Sequence, residues 1–150
     1  MNTHVTRPSK PVPTVHPWSR AFWEGTRAGK LLIQRCRSCR GNVFYPRLSC
    51  PHCFAADLEW VQSRGRGVIY SYTVVHNNAP SAFAGDTPYV VAVIRLEEGV
   101  QMLSNIVDCD SEELRCDMPV EVTFEKLDDD FTLPKFRPCT VPARDDRAQP

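Results

Sequence analysis

Two closely spaced cysteine pairs constrain the fold of this chain more than any other feature of its sequence. Cys36-Arg37-Ser38-Cys39 and Cys50-Pro51-His52-Cys53 are separated by ten residues. Each Cys-x-x-Cys turn aims two sulfurs at one point, and two such turns complete a tetrahedron of thiolates. The sequence therefore predicts a structural Zn²⁺ bound by Cys36, Cys39, Cys50 and Cys53.

Four sulfur ligands leave a tetrahedral metal without an open coordination position, so the ion cannot activate water or a substrate. We expect it to stabilise the fold, because such a site contributes roughly 10–16 kcal/mol of apparent binding free energy to folding. Iron in the same sulfur cage, as an electron carrier, is the alternative that the ligand set leaves open.

The remaining cysteines and the histidines form no catalytic pattern. Cys109, Cys116 and Cys139 are scattered, and we expect small buried side chains there because free cysteine is most often interior. His52 lies between two ligands, but no histidine is placed near a serine or cysteine with a partner acid, as a triad requires. The sequence therefore predicts no catalytic residues and a chain that is not itself an enzyme.

Composition places the chain among ordinary globular proteins, with 42% hydrophobic and 24% charged residues. No apolar run approaches the roughly 20 residues that a membrane helix needs. The segment from Met1 to Pro17 lacks the apolar stretch of a secretory signal. We therefore expect a cytoplasmic protein that does not associate with membranes.

Turn residues divide the chain into four predicted segments. A proline-rich, extended tail covers 1–17, and residues 18–64 hold one helix and the zinc ribbon. In that segment Ser19 is expected to cap a helix of about ten residues ended by Gly29. A hairpin of Leu31–Arg35 and Val43–Tyr45 follows, and then a linker through Asp57–Trp60.

The remaining predicted segments are an OB-fold over 65–140 and a polar tail over 141–150. Residues rich in β-branched and aromatic side chains predict five short strands. They are Val68–His76, Tyr89–Leu96, Val100–Val107, Pro119–Lys126 and Phe131–Phe136. Strict alternation would place Tyr70 and Tyr72 on the same face of the first strand. The expected fold class is mainly β, with a short N-terminal helix and a rubredoxin-like zinc ribbon before a five-stranded OB-fold barrel.

Charge is distributed unevenly along the chain. Residues 1–70 hold 11 Lys/Arg against 3 Asp/Glu, whereas residues 71–150 hold 7 against 15. An OB-fold with a zinc ribbon is compatible with a module that binds single-stranded nucleic acid, and this is the alternative function. The charge distribution argues against it, because the acidic half would repel a phosphate backbone.

Beyond these patterns, the order of motifs resembles a known family. Phe22-Trp23-Glu24-Gly25, Tyr45-Pro46-Arg47 before the second cysteine pair, Gly65-Arg66-Gly67-Val68 and Leu133-Pro134-Lys135-Phe136 occur in turn. Together with the four cysteines they resemble the acyl-CoA-associated zinc-ribbon and OB-fold family, long called domain of unknown function 35. The resemblance spans about residues 18 to 139.

The resemblance implies an accessory or scaffold subunit that forms a hetero-oligomer with a thiolase-fold enzyme, such as a thiolase, an acyltransferase or an aldolase. It leaves open whether the chain also contacts the acyl-CoA. A docking surface is then expected at Phe22, Trp23, Leu31, Leu32 and Ile33, with packing against the ribbon as the alternative. Contacts to CoA phosphates are expected from Arg37, Arg40 and Arg47.

Overall fold

The computed structural model describes residues 9–140, and within them it confirms the predicted fold class. The elements are α1 (Arg20–Arg27), β1 (Leu32–Cys36), β2 (Asn42–Val43), β3 (Leu58–Gln62), β4 (Arg66–Val75), β5 (Tyr89–Leu96), β6 (Gln101–Ile106), β7 (Pro119–Lys126) and β8 (Thr132–Pro138). The predicted C-terminal tail, 141–150, and the first eight residues of the predicted N-terminal tail lie outside the described residues. The four segment boundaries stay a prediction.

Helix α1 is shorter than predicted, with eight residues. Ser19 occupies its N-cap position but does not cap it, because its Oγ accepts a hydrogen bond from the backbone N–H of His16 at 3.0 Å. Gly29 follows the helix with φ of 68°, in the left-handed region. The chain can therefore reverse there, and the N–H of Lys30 donates to the carbonyl of Gly25 at 2.8 Å.

The ribbon is a three-stranded sheet in the order β2-β1-β3. The predicted hairpin is present as β1 and β2, but the predicted linker through Asp57–Trp60 is wrong. Leu58–Gln62 forms β3, which pairs antiparallel with the whole of β1. The first four residues of β3 are all half-buried, so burial does not alternate along this strand as it does along a strand with one solvent face.

Strands β4 to β8 form a closed barrel in the order β4-β5-β6-β8-β7. Each of the five predicted strands is present, and the order is that of an OB-fold. A β-bulge between Ile69 and Ser71 reverses the side chains that follow it. Tyr70 therefore faces solvent, whereas Tyr72 packs on the core and donates from its hydroxyl to the carbonyl of Leu114 at 2.8 Å, so the predicted shared face is wrong.

One hydrophobic core runs from the helix through β1 into the barrel. Phe22 and Ile33 belong to the same buried cluster as Ile94 and Phe136. At the start of the barrel, β4 passes close to β5 at Gly67, where an added Cβ would lie 2.3 Å from the carbonyl oxygen of Arg95. The ribbon and the barrel therefore pack as one body. Among residues 9–140, the single α-helix is too short to cross a bilayer.

Candidate metal centre and its surroundings

The fold brings the four predicted ligands together. The sulfurs of Cys36, Cys39, Cys50 and Cys53 all lie within 4.8 Å of one another. Sγ of Cys36 lies 3.6 Å from Sγ of Cys53, and Sγ of Cys39 lies 3.6 Å from Sγ of Cys50. A tetrahedron with Zn–S bonds of about 2.3 Å has sulfur–sulfur edges of about 3.8 Å. The donor set and its spacing therefore fit Zn²⁺.

Two backbone turns of the same shape, here called the knuckles, place these sulfurs. The first spans 36–41 and the second 50–55. The N–H of Arg40 donates to the carbonyl of Cys36 at 2.8 Å, and the N–H of Phe54 donates to that of Cys50 at 3.0 Å. Because each turn closes on its own first cysteine, each pair of sulfurs is positioned by local geometry.

The surroundings of two ligand thiols shift their pKa values in opposite directions. The backbone N–H of Cys39 donates to the sulfur of Cys36 and, with other donors, lowers the pKa of that thiol to about 7. The backbone N–H of Ala55 acts in the same direction on Cys53. Desolvation and the neighbouring sulfurs outweigh it there and raise the pKa of Cys53 to about 12. All four groups can be thiolates together only when a divalent cation offsets their repulsion.

The surroundings of the cluster indicate a structural site. Cys36 and Cys50 are buried with Val43, and Ala55 and Leu58 pack against them. Four protein sulfurs complete the coordination of Zn²⁺, so the bound ion supplies bracing for the ribbon and no Lewis-acid chemistry. His52 is exposed beside the cluster, and its backbone N–H lies 3.4 Å from the sulfur of Cys50.

The residues predicted for docking divide into two groups. Phe22, Leu31 and Ile33 are buried in the core that joins the ribbon to the barrel, as the packing alternative expects. Trp23 and Leu32 are half-buried. Trp23 makes an edge contact with Phe131, with ring centroids 5.4 Å apart. A docking role for the five residues stays a prediction, and only Trp23 and Leu32 offer a partner appreciable surface.

The arginines predicted for CoA phosphates are all exposed, but they differ in their partners. Nε of Arg37 lies 3.0 Å from the carboxylate of Glu59, and Nη1 lies 3.6 Å from that of Asp57. Glu59 accordingly raises the pKa of Arg37. Within residues 9–140, Arg40 and Arg47 form no ion pair, so their guanidinium groups are the more available for an anion.

Sequence reasoning missed the contacts that fix the ribbon on the barrel. The carboxylate of Glu98, in the β5–β6 turn, accepts from Ser63 Oγ at 3.0 Å and from the N–H of Arg64 at 2.8 Å. Its backbone carbonyl accepts from Nδ2 of Asn42 at 2.9 Å. The hydroxyl of Tyr45 also accepts from the N–H of Leu103 at 3.0 Å. No sequence pattern links the partners in these contacts, which lie up to 58 positions apart.

An apolar groove lies beside this junction, between α1, the ribbon and the edge of β6 and β8. Its volume is about 410 Å³. The side chains along it include Trp23, Phe44, Tyr45, Leu103 and Leu133. Tyr45 is 50% exposed and Leu103 is 58% exposed, so the groove is open to a partner.

The scattered cysteines do not join the cluster. Cys109 and Cys139 are half-buried, which is close to the expectation, whereas Cys116 is exposed and the expectation of burial is wrong there. Cys116 lies in the turn before β7, at the surface of the barrel.

Comparison with known proteins places the chain among proteins of the same two-part design. Residues 23–59 match the model of the ChsH2 rubredoxin-like zinc ribbon domain. Residues 60–125 match the model of the ChsH2 C-terminal OB-fold domain. A DUF35 domain-containing scaffold protein of Methanocaldococcus jannaschii is 41% identical over 102 residues, which are 67% of this chain and 71% of that protein.

Other relatives have names that refer to acyl-CoA enzymes. The probable enoyl-CoA hydratase alpha subunit of Thermomonospora curvata is 37% identical over 131 residues, which are 87% of this chain but only 40% of that protein. The benzoylsuccinyl-CoA thiolase subunit BbsA of Thauera aromatica is 33% identical over 98 residues, 65% of each chain. A solved chain of the Ltp2-ChsH2(DUF35) aldolase superimposes with a TM-score of 0.77 at 35% identity, covering 85% of this chain and 98% of its own length.

Proposed function

Because this chain belongs to the DUF35 family of zinc-ribbon and OB-fold scaffold proteins, we propose that it is the non-catalytic accessory subunit of a thiolase-fold enzyme acting on acyl-CoA. The observation that carries the proposal is the match over 98% of a chain from an aldolase complex, at 35% identity. The similar thiolase subunit from Thauera aromatica points to the same enzyme class.

The metal centre supports a scaffold role for this chain. Its four ligands fill the coordination sphere, so the metal braces the ribbon and cannot react with a thioester. Among residues 9–140, every fully buried side-chain nitrogen or oxygen has a hydrogen-bond partner. Complete pairing of this kind is what a stable structural core requires.

The surface of the barrel disfavours the alternative of a module that binds single-stranded nucleic acid. An OB-fold binds single strands across its second and third strands and the adjoining loops, which need free cations. Here Lys10 pairs with Asp86 and Lys135 pairs with Glu125 at 2.7 Å. These lysines line the cleft on that face, and both are neutralised by carboxylates.

Co-expression tests the proposal directly. The tagged chain is produced with the thiolase-fold protein encoded nearest to it in its genome, and the pair is examined by gel filtration with light scattering. We expect one hetero-oligomer that persists in about 1 M salt, where the screening length is about 3 Å. We also expect acyl-CoA turnover only when both chains are present. Two separate peaks in low salt, or turnover by this chain alone, would contradict the proposal.

A further inference from the structure

Two large side chains occupy positions in the zinc ribbon where the backbone favours glycine. Arg40 follows the second cysteine of the first knuckle, and Phe54 follows the second cysteine of the second. Their φ angles are 62° and 63°, in the left-handed region. Glycine adopts this conformation at no steric cost, whereas a bulky residue there is an outlier. Local backbone stability therefore does not explain either side chain.

Packing does not explain Phe54 either. Phe54 is 82% exposed, the largest value among the exposed large hydrophobic residues of the described chain, and Leu48, two residues before the same knuckle, is 69% exposed. In residues 9–140, Phe54 makes no ring contact with another aromatic group. Strained backbone of this kind clusters at ligand clamps and switch regions, and contiguous exposed apolar surface marks interaction sites.

The two knuckles form one continuous end of the ribbon. A Cβ at Gly41 would lie 3.0 Å from Cδ2 of His52, so the turn of the first knuckle rests on the loop of the second. Arg40 and Phe54 therefore lie on two turns that contact each other. We call the surface formed by Arg40, Leu48 and Phe54 the knuckle surface.

The unpaired charged side chains around the knuckle surface are positive, and they lie beside a zinc centre whose four thiolates leave a formal charge of −2. The acidic residues of the ribbon, Asp57 and Glu59, both pair with Arg37. Over residues 9–140, Arg35, Arg40 and Arg47 have no ion-pair partner. Arginine beside an exposed aromatic side chain is also the composition that dominates the binding energy of protein interfaces. This charge suits a partner with acidic groups around an apolar pocket.

We propose that the knuckle surface docks the chain onto its thiolase-fold partner, with Phe54 in an apolar pocket and Arg40 against acidic residues at the rim of that pocket. The proposal rests on the proposed function and adds the surface that carries it. It differs from the docking surface expected at Phe22, Trp23, Leu31, Leu32 and Ile33, which lies on the helix, on β1 and on the residue just before β1.

The substitution Phe54→Gly separates a binding role from a structural one, because it removes the side chain and relieves the backbone at the same time. Affinity is measured between the purified, zinc-loaded chain and the thiolase-fold enzyme used above. We expect Kd to rise about tenfold or more. The midpoint of thermal unfolding and the zinc content should be unchanged or higher, since glycine suits a φ of 63°.

Matched variants control for general effects of the substitution. Phe54→Tyr keeps an aromatic ring and should bind within about threefold of the original chain, because it retains the buried contact. Tyr70→Ala removes another exposed aromatic side chain, from β4 of the barrel, and should leave Kd unchanged. A loss of affinity in Tyr70→Ala equal to that of Phe54→Gly would overturn the assignment to the ribbon.

Arg40→Gly tests the proposed contact between Arg40 and acidic residues of the partner, and it also relieves the backbone. We expect Kd to rise and to depend less on salt, because an exposed interfacial charge acts mainly through screened electrostatics. Arg40→Lys should restore the salt dependence. If Arg40 only offsets the charge of the zinc–thiolate centre, Arg40→Gly will release zinc more readily and leave the salt dependence of Kd unchanged.

The outcomes distinguish this inference from the proposed function. If the original chain binds the enzyme and Phe54→Gly binds equally well, the knuckle surface is wrong and the proposed function stands. If the original chain does not bind the enzyme at all, both are wrong. If the original chain self-associates and Phe54→Gly is a monomer that still binds the enzyme, the surface joins copies of this chain and the inference is overturned.

Discussion

Replacing Cys50 with serine should unfold the zinc ribbon between β1 and β3 and leave the barrel folded. Cys50 is a buried ligand at the centre of the small cluster that contains Cys36 and Val43. The barrel has a separate and larger core that includes Ile94 and Phe136. Loss of the metal should therefore unfold the ribbon before the barrel.

The magnitude follows from comparing the ordering cost with the contacts available. Ordering the roughly 20 residues between β1 and β3 costs about 20 kcal/mol at about 1 kcal/mol each. Burial of Cys36, Val43 and Cys50 returns roughly 5–7 kcal/mol. Binding of zinc supplies roughly 10–16 kcal/mol, which closes the balance to within a few kcal/mol. Without the metal, the apolar contacts are too few to keep this segment ordered.

Elemental analysis and hydrogen exchange provide the assay. We expect Cys50→Ser to contain little zinc and to lose amide protection in residues 37–57, while β4 to β8 keep theirs. Cys116→Ser is the matched control, because Cys116 is exposed and lies outside the cluster. It should keep both zinc and protection. Full protection of residues 37–57 in a zinc-free Cys50→Ser sample would refute the reasoning, and stoichiometric iron in the original chain would identify a redox centre instead.

Three further substitutions test the fold that positions the ribbon. Glu98→Ala removes the acceptor for Ser63 and should lower the free energy of unfolding, measured in urea, by about 2 kcal/mol. An unchanged midpoint of urea unfolding would show that the β5–β6 turn does not stabilise the junction of the ribbon and the barrel. Gly67→Ala would place a Cβ 2.3 Å from the carbonyl oxygen of Arg95, so the free energy of unfolding measured in urea should fall by about 2–3 kcal/mol. An unchanged free energy of unfolding would contradict the observed approach of β4 to β5. Phe136→Ala opens a cavity in the barrel core and should lower the free energy of unfolding by about 3–5 kcal/mol, whereas the zinc content should stay the same. A loss of zinc in this variant would mean that the barrel core and the cluster around the metal are not separate.

The metal site was predictable from the sequence because its geometry is local. Each Cys-x-x-Cys turn closes within its own knuckle, so four sulfurs could be assigned without knowledge of the fold. The barrel strands were predictable for a similar reason, since β-branched and aromatic runs between turn residues mark strands regardless of their partners. Strands β5 and β7 begin and end where the pattern predicted.

Other features were decided by contacts between distant residues. Strand β3 is defined by its pairing with β1, which the sequence did not predict. The bulge that turns Tyr70 outward is set by the pairing of β4 with β5. The attachment of the ribbon depends on Glu98, which lies 35 positions from Ser63.

Phe54 is exposed and Phe22 is buried, although the sequence gives no reason to expect a difference between them. Phe22 opens a quoted motif and Phe54 follows a metal ligand, and the residue type alone favours burial for each. The sequence by itself determined which residues bind the metal and which segments form strands, because turns and strand periodicity act over a few residues. The tertiary structure alone decided which apolar side chains face solvent, because burial depends on what the rest of the chain brings against them.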